Sequence, residues 1–198
     1  MKTTRKIGVM TALLVSLAFA SKAQSQSPLP SGQPQSTPPS DKQEFRLSVG
    51  PESGIPIGQL SNGYGWFLGG SVQGELPIAK NLYVIANAGY NNYFVKNGEI
   101  PNQDIRTIPV KAGLKYFFVP NLLYVQAEAG ASFLVDKSDL SADKSTNFVY
   151  APSVGVLLKL APKNYLDIGF RFQGNGSFYN NGTYGNVLGL RVAYSFGL

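Results

Sequence analysis

From residue 44 to residue 197 the chain alternates apolar with small or polar side chains, stretch after stretch, and this period of two leaves few folds open. Successive side chains of a strand point to opposite faces, so the alternation describes a sheet with one apolar and one polar face. Eight stretches carry it: 44–52, 66–78, 82–95, 106–118, 122–135, 147–160, 164–174 and 184–197. Most are longer than the ~5–6 residues usual in a soluble sheet, and ~9–11 residues cross a bilayer at a tilt. No window of similar length shows the ~3.6-residue apolar period of a helix.

The connections alternate in length. Three are tight, around Ala79-Lys80, Val119-Pro120 and Ala161-Pro162-Lys163, and each is followed by an asparagine: Asn81, Asn121 and Asn164. The other four, 53–65, 96–105, 136–146 and 175–183, are longer and polar. Asn62-Gly63, Asn97-Gly98, Asn175-Gly176 and Asn181-Gly182 within them favour sharp turns. Short turns at one end and long loops at the other are the habit of transmembrane barrels.

Which face looks inward is decided by glycine. A soluble lipocalin-like barrel would bury the apolar face and expose the charges. Here Gly69, Gly89, Gly113, Gly130, Gly155, Gly169 and Gly189 all share the polar face. An eight-stranded barrel has an interior just wide enough for side chains, so glycine relieves crowding there, whereas on a solvated face it only weakens strands. The polar face is therefore predicted to point inward and the apolar face to meet lipid. That inner face carries Arg46, Glu75, Lys111, Lys115, Glu128, Asp167, Arg171 and Arg191, with Gln73, Asn87, Asn91, Gln126 and Gln173 among them. The tight turn near Pro120 puts Lys111 directly or diagonally opposite Glu128. Mixed signs in so narrow a space should pair into a network that plugs the bore, because unpaired buried charge is costly. Aromatic residues of the apolar face gather near strand ends (Trp66, Phe94, Phe118, Phe133, Phe148, Tyr150, Tyr184, Tyr194 and Phe196), as in the girdles of membrane barrels. The expected fold is all-β: an eight-stranded antiparallel up-and-down transmembrane β-barrel over residues 43–198.

Ahead of it lie two segments of other character. Lys2, Arg5 and Lys6 precede the apolar run Ile7–Ala20, and Ala18-Phe19-Ala20 and Ser21-Lys22-Ala23 follow at signal-peptidase spacing. The run is short of the ~20 residues of a membrane helix, so residues 1–23 read as a cleaved signal peptide, cut after Ala23 or alternatively after Ala20. Residues 24–42, QSQSPLPSGQPQSTPPSDK, hold almost nothing that could be buried and read as a disordered Pro/Ser/Gln-rich spacer. Loss of Lys2, Arg5, Lys6 and Lys22 leaves 13 bases against 11 acids. The charge of the whole chain, +6, is thus mostly targeting, and nothing else points to nucleic acid.

The chain has no cysteine and no histidine, so it lacks the commonest general base and metal ligand. Gly63-Tyr64-Gly65 and Gly174-Asn175-Gly176 open no helix and lack the lysine of a phosphate loop. Asn175-Gly176-Ser177 and Asn181-Gly182-Thr183 match the glycosylation pattern but read more simply as turns. Glu75, Glu128 and Asp167 are better explained by ion pairing than by acid–base catalysis. No catalytic, cofactor or metal site is expected.

Three stretches carry a resemblance to a known family. They are Ser48-Val49-Gly50-Pro51 running to Gly54-Ile55-Pro56-Ile57-Gly58, Ile108-Pro109-Val110-Lys111-Ala112-Gly113-Leu114-Lys115-Tyr116-Phe117, and Gly189-Leu190-Arg191-Val192-Ala193-Tyr194. With the signal and the terminal Ala193-Tyr194-Ser195-Phe196-Gly197-Leu198, residues 43–198 resemble the Bacteroidetes-type outer-membrane β-barrel domain. The resemblance implies a place in the cell outer membrane, contact with its lipid, and a last strand read by the barrel-assembly machinery. Phe196 stands third from the end, where such barrels commonly finish on an aromatic residue. Barrel acyltransferases, deacylases, phospholipases and aspartyl-type proteases use a histidine, so no such enzyme is expected here. The expected role is structural or surface interaction, by a monomer meeting an extracellular partner through its loops. The alternative is a narrow porin-like channel for ions or small polar solutes.

Overall fold

The computed structural model describes residues 44–96, 104–135, 145–176 and 185–198. The predicted signal peptide 1–23, the spacer 24–42, most of the three later long loops, and Tyr184 lie outside the described residues. The elements are β1 (Arg46–Ile57), α1 (Leu60–Gly63), β2 (Tyr64–Ala79), β3 (Leu82–Val95), β4 (Ile105–Val119), β5 (Leu123–Leu134), β6 (Thr146–Ala161), β7 (Asn164–Asn175) and β8 (Gly185–Gly197). Each strand pairs antiparallel with the next, and β1 pairs with β8, closing the sheet into an eight-stranded up-and-down barrel. Closure removes every sheet edge, so each strand finds partners on both sides.

The register fixes the geometry of the bore. One row of paired residues runs from Phe117 through Tyr124, Gly155, Gly169, Arg191, Glu52, Gly69 and Asn91, and returns to β4 at Thr107. The start and end of that circuit are ten residues apart on one strand. Taken with strand rise and spacing, this stagger tilts the strands by about 40°. A strand such as β1, of 12 residues, then spans about 30 Å along the barrel axis, enough for a hydrocarbon core.

The outer face is an apolar band. Val72, Leu114, Val125, Val154, Phe170 and Leu190, on six different strands, stand 46–51% exposed. At the loop end Trp66 stacks on Phe94 at 4.2 Å between ring centroids. Tyr194 and Phe196 lie together at the opposite end. Among the described residues no helix is long and apolar enough to cross a membrane, so any crossing falls to the strands.

At the turn end, Asn81 and Asn121 adopt left-handed backbone, with φ of 62° and 53°. Asparagine tolerates this region better than most residues. In the third turn it is Lys163, with φ of 64°, that takes the left-handed place.

One boundary needs correcting. The sequence predicts a first strand over 44–52 and a long loop over 53–65. The structure continues β1 through Ile57, with Ser53 and Gly54 paired to Leu68 and Phe67, and Ile55, Pro56 and Ile57 paired to Leu188, Val187 and Asn186. Only Gly58 (φ 65°), Gln59 and the single turn α1 separate β1 and β2. Ser-Gly-Ile-Pro-Ile has the composition of a turn, but β8 and β2 flank it and supply the backbone partners that keep it extended.

Candidate functional site

The interior is where this chain concentrates its chemistry. Even positions of β1 and β5 and odd positions of the other six strands point inward, and the inward positions are filled by long polar side chains. Arg46, Glu75, Lys111, Lys115, Glu128, Asp167, Arg171 and Arg191 are all buried there. A ninth charge joins them. Glu52 is 3% exposed and shares the parity of Arg46 and Ser48, a signal present in the sequence. The strand predicted over 44–52 ends at Glu52, and the expected inner face does not include it.

These nine groups form one chain of alternating sign. Arg46 stands 3.8 Å from Glu75, and Lys115 lies between Glu75 at 2.7 Å and Asp167 at 2.9 Å. Arg191 links Asp167, 3.8 Å away, to Glu52 at 3.5 Å. Arg171 then joins Glu52 to Glu128, the latter at 4.0 Å, and Glu128 meets Lys111 at 3.6 Å. Lys111 pairs in register with Gly130 and Glu128 with Gly113, so the Lys111–Glu128 contact is the diagonal one. Neutral groups tie the chain to the wall. Arg191 donates to Ser71 and Ser48, each at 2.9 Å, and Gln73 donates to Glu75 at 2.9 Å.

The two ends of the chain differ. Arg46, near the tight turns, donates to the hydroxyl of Tyr83 and to Asn121. Its guanidinium also lies over the rings of Tyr83, Phe117 and Tyr165, at 4.5, 5.1 and 5.5 Å from their centroids. Aromatic faces attract a cation, so Arg46 is held from several sides. At the other end Lys111 Nζ and both carboxylate oxygens of Glu128 are buried without a hydrogen bond.

Apolar clusters close the bore at both mouths. At the turn end Tyr83, Ile85, Phe117, Tyr124 and Leu157 pack together, with Tyr165 against them. At the loop end Tyr64, Phe67, Tyr93 and Val187 do the same, joined by Leu60 of α1, Val95 and Ile105. Each cluster rests one aromatic ring on two glycines of adjoining strands. Tyr124 pairs with Gly155, which pairs with Gly169. Phe67 pairs with Gly54, which pairs with Gly189 across the β1–β8 seam. A Cβ on Gly155 would lie 2.3 Å from the Tyr124 ring, and one on Gly54 would lie 2.7 Å from the Phe67 ring, so only glycine admits these rings.

Between the clusters a cavity remains beside Gln73, Tyr124, Gln126, Ser153, Gly169, Arg171 and Arg191, with room for about one water molecule. Among the described residues no group of carboxylates is arranged to hold a metal ion.

The sequence matches no protein-family model and no curated protein. Solved structures do match. Neisserial surface protein A aligns over 78% of this chain and 97% of its own, with a TM-score of 0.55 and 17% identity. The fold is that of a small outer-membrane β-barrel. The outer-membrane protein OprG from Pseudomonas aeruginosa covers 78% of this chain and 95% of its own, at a TM-score of 0.53 and 11% identity. The outer-membrane protein AlkL, solved in lipid bilayers, covers 89% and 97%, at 0.50 and 14%. Identities this low establish the architecture of the outer-membrane barrel and leave its function to be argued from its own residues.

Proposed function

We propose that this chain is a plugged outer-membrane barrel that serves a structural or surface-interaction role through its loops. One observation carries the reading: a continuous chain of buried ion pairs fills the bore, and an aromatic cluster closes each mouth. A conducting pore needs a continuous aqueous path, and a bore filled with mutually paired side chains offers none. The porin-like alternative would require both clusters and the ion-pair chain to move aside. The interior charges serve to hold the wall together, and the protein is not an enzyme.

In this reading residues 1–23 direct export and are removed, and the outward apolar band sits in outer-membrane lipid. The three motifs around Ser48, Ile108 and Gly189 support kinship with the Bacteroidetes-type barrel domain. The strand ending at Gly197 is the one offered to the assembly machinery, and a monomer presents four loops to an extracellular partner. Single-channel recording of refolded protein in planar bilayers tests the central claim. A flat trace at high salt is expected. Discrete steps of stable conductance would establish the channel and reject the plugged reading.

A further inference from the structure

We propose that the barrel interior binds one small monovalent anion, of halide size, between Arg171 and Arg191. Two independent observations point there. The first is a count: among the described residues the buried interior holds five cations, Arg46, Lys111, Lys115, Arg171 and Arg191, against four anions, Glu52, Glu75, Glu128 and Asp167. A surplus charge in a poorly solvated interior is costly unless something balances it. The alternating chain begins and ends on a cation. Arg46, at one end, is stabilised by three aromatic faces and by hydrogen bonds to Tyr83 and Asn121. Lys111, at the other, is buried, lacks any hydrogen bond, and meets Glu128 only at 3.6 Å. Lys111 is therefore the less compensated end, and it shares its one carboxylate partner, Glu128, with Arg171.

The second observation is the cavity beside Arg171 and Arg191. In the rest of its lining the Ser153 hydroxyl and one amide hydrogen of Gln126 remain to donate, those of Tyr124 and Gln73 being given to Asp167, Glu75 and Gln126, and no carboxylate faces it. Guanidinium, amide and hydroxyl groups all donate hydrogen bonds, so the lining suits an acceptor of negative charge. Its size, about one water molecule, admits a halide and excludes a carboxylic acid or a phosphate. The closed mouths make exchange slow and keep larger solutes out.

The test uses the full refolded chain in vesicles, unfolded in urea with sodium bromide or sodium gluconate at equal ionic strength. Gluconate is too large for the cavity. Wild-type protein is expected to show an unfolding midpoint that rises with bromide and saturates as for one site. The rise is expected to be lost in Lys111→Met, whose interior has equal numbers of the two charges. Ser153→Val fills the cavity without touching the ion pairs and serves if Lys111→Met does not fold. It should abolish the bromide response and also the anomalous-scattering peak expected between the two guanidinium groups in crystals grown from bromide. Equal midpoints in bromide and gluconate for the wild type would overturn the proposal. So would a peak-free cavity occupied by water, or a bromide response that Ser153→Val leaves intact.

Discussion

The hydroxyl of Tyr124 donates to Asp167 at 2.5 Å while its ring lies across Gly155 and Gly169. One side chain thus anchors the charge chain at Asp167 and belongs to the cluster at the turn end. Tyr124→Phe keeps the ring on its glycine bed and removes one hydrogen bond to a buried carboxylate. The expected cost is ~1.5–3 kcal/mol in urea unfolding. Gly155→Ala should cost more, because its Cβ would meet the ring at 2.3 Å and the Ile168 carbonyl at 2.6 Å. If Gly155→Ala proves as stable as wild type, the ring does not rest where we place it.

Charge reversal tests the inward direction of the polar face. Lys111→Glu sets like charges beside one another in the bore, and removing one partner of a buried pair costs ~3–5 kcal/mol. Glu128→Lys in the same chain should recover part of the loss, with Arg171 now facing the new lysine. On a soluble barrel with solvated charges both single changes would be close to silent.

The lipid face makes the opposite demand. Leu114 stands 49% exposed in the middle of the apolar band. Leu114→Arg should cost ~2–4 kcal/mol in vesicles and less in detergent micelles, since the penalty is that of charge in hydrocarbon. An equal penalty in both media would mean that Leu114 lies in a packed core.

Lys163 offers a stabilising change. Its left-handed backbone costs a residue with a full side chain about 1 kcal/mol, and its exposed pair with Glu44, at 3.4 Å, returns only part of that. Lys163→Asn should therefore raise stability by about 0.5 kcal/mol. Lys163→Val, branched at Cβ, should lower it. The sign of the difference between the two variants, read from urea midpoints, is the check.

Orientation follows from the even number of strands, which brings both ends of the barrel to the side of the tight turns. By the usual habit of such barrels that side is the periplasm. Protease added to intact cells is expected to cut within 96–105, 136–146 or 175–183 and to spare 24–42. Mature protein is expected to begin at Gln24, or at Ser21 under the alternative cut. Cleavage of the spacer in intact cells would reverse the orientation.

The sequence by itself determined what depends on neighbours along the chain. A period of two assigns each side chain to a face, whatever the strand later pairs with. So the eight strands, the inner parity of Lys115 and Asp167, and the asparagine turns at Asn81 and Asn121 were legible. The pairing of Lys111 with Glu128 was legible too, because one short turn joins their strands. The tertiary structure alone decided which charges meet across the bore. Arg171 reaches Glu52 and Arg191 reaches Ser48 from residues 119 and 143 positions away. Those contacts follow from the ten-residue stagger at closure, a property of the whole ring of registers that no single stretch encodes. The same closure kept Ser53–Ile57 extended, since residues with the composition of a loop stay in a strand when β8 pairs with all five and β2 with Ser53 and Gly54.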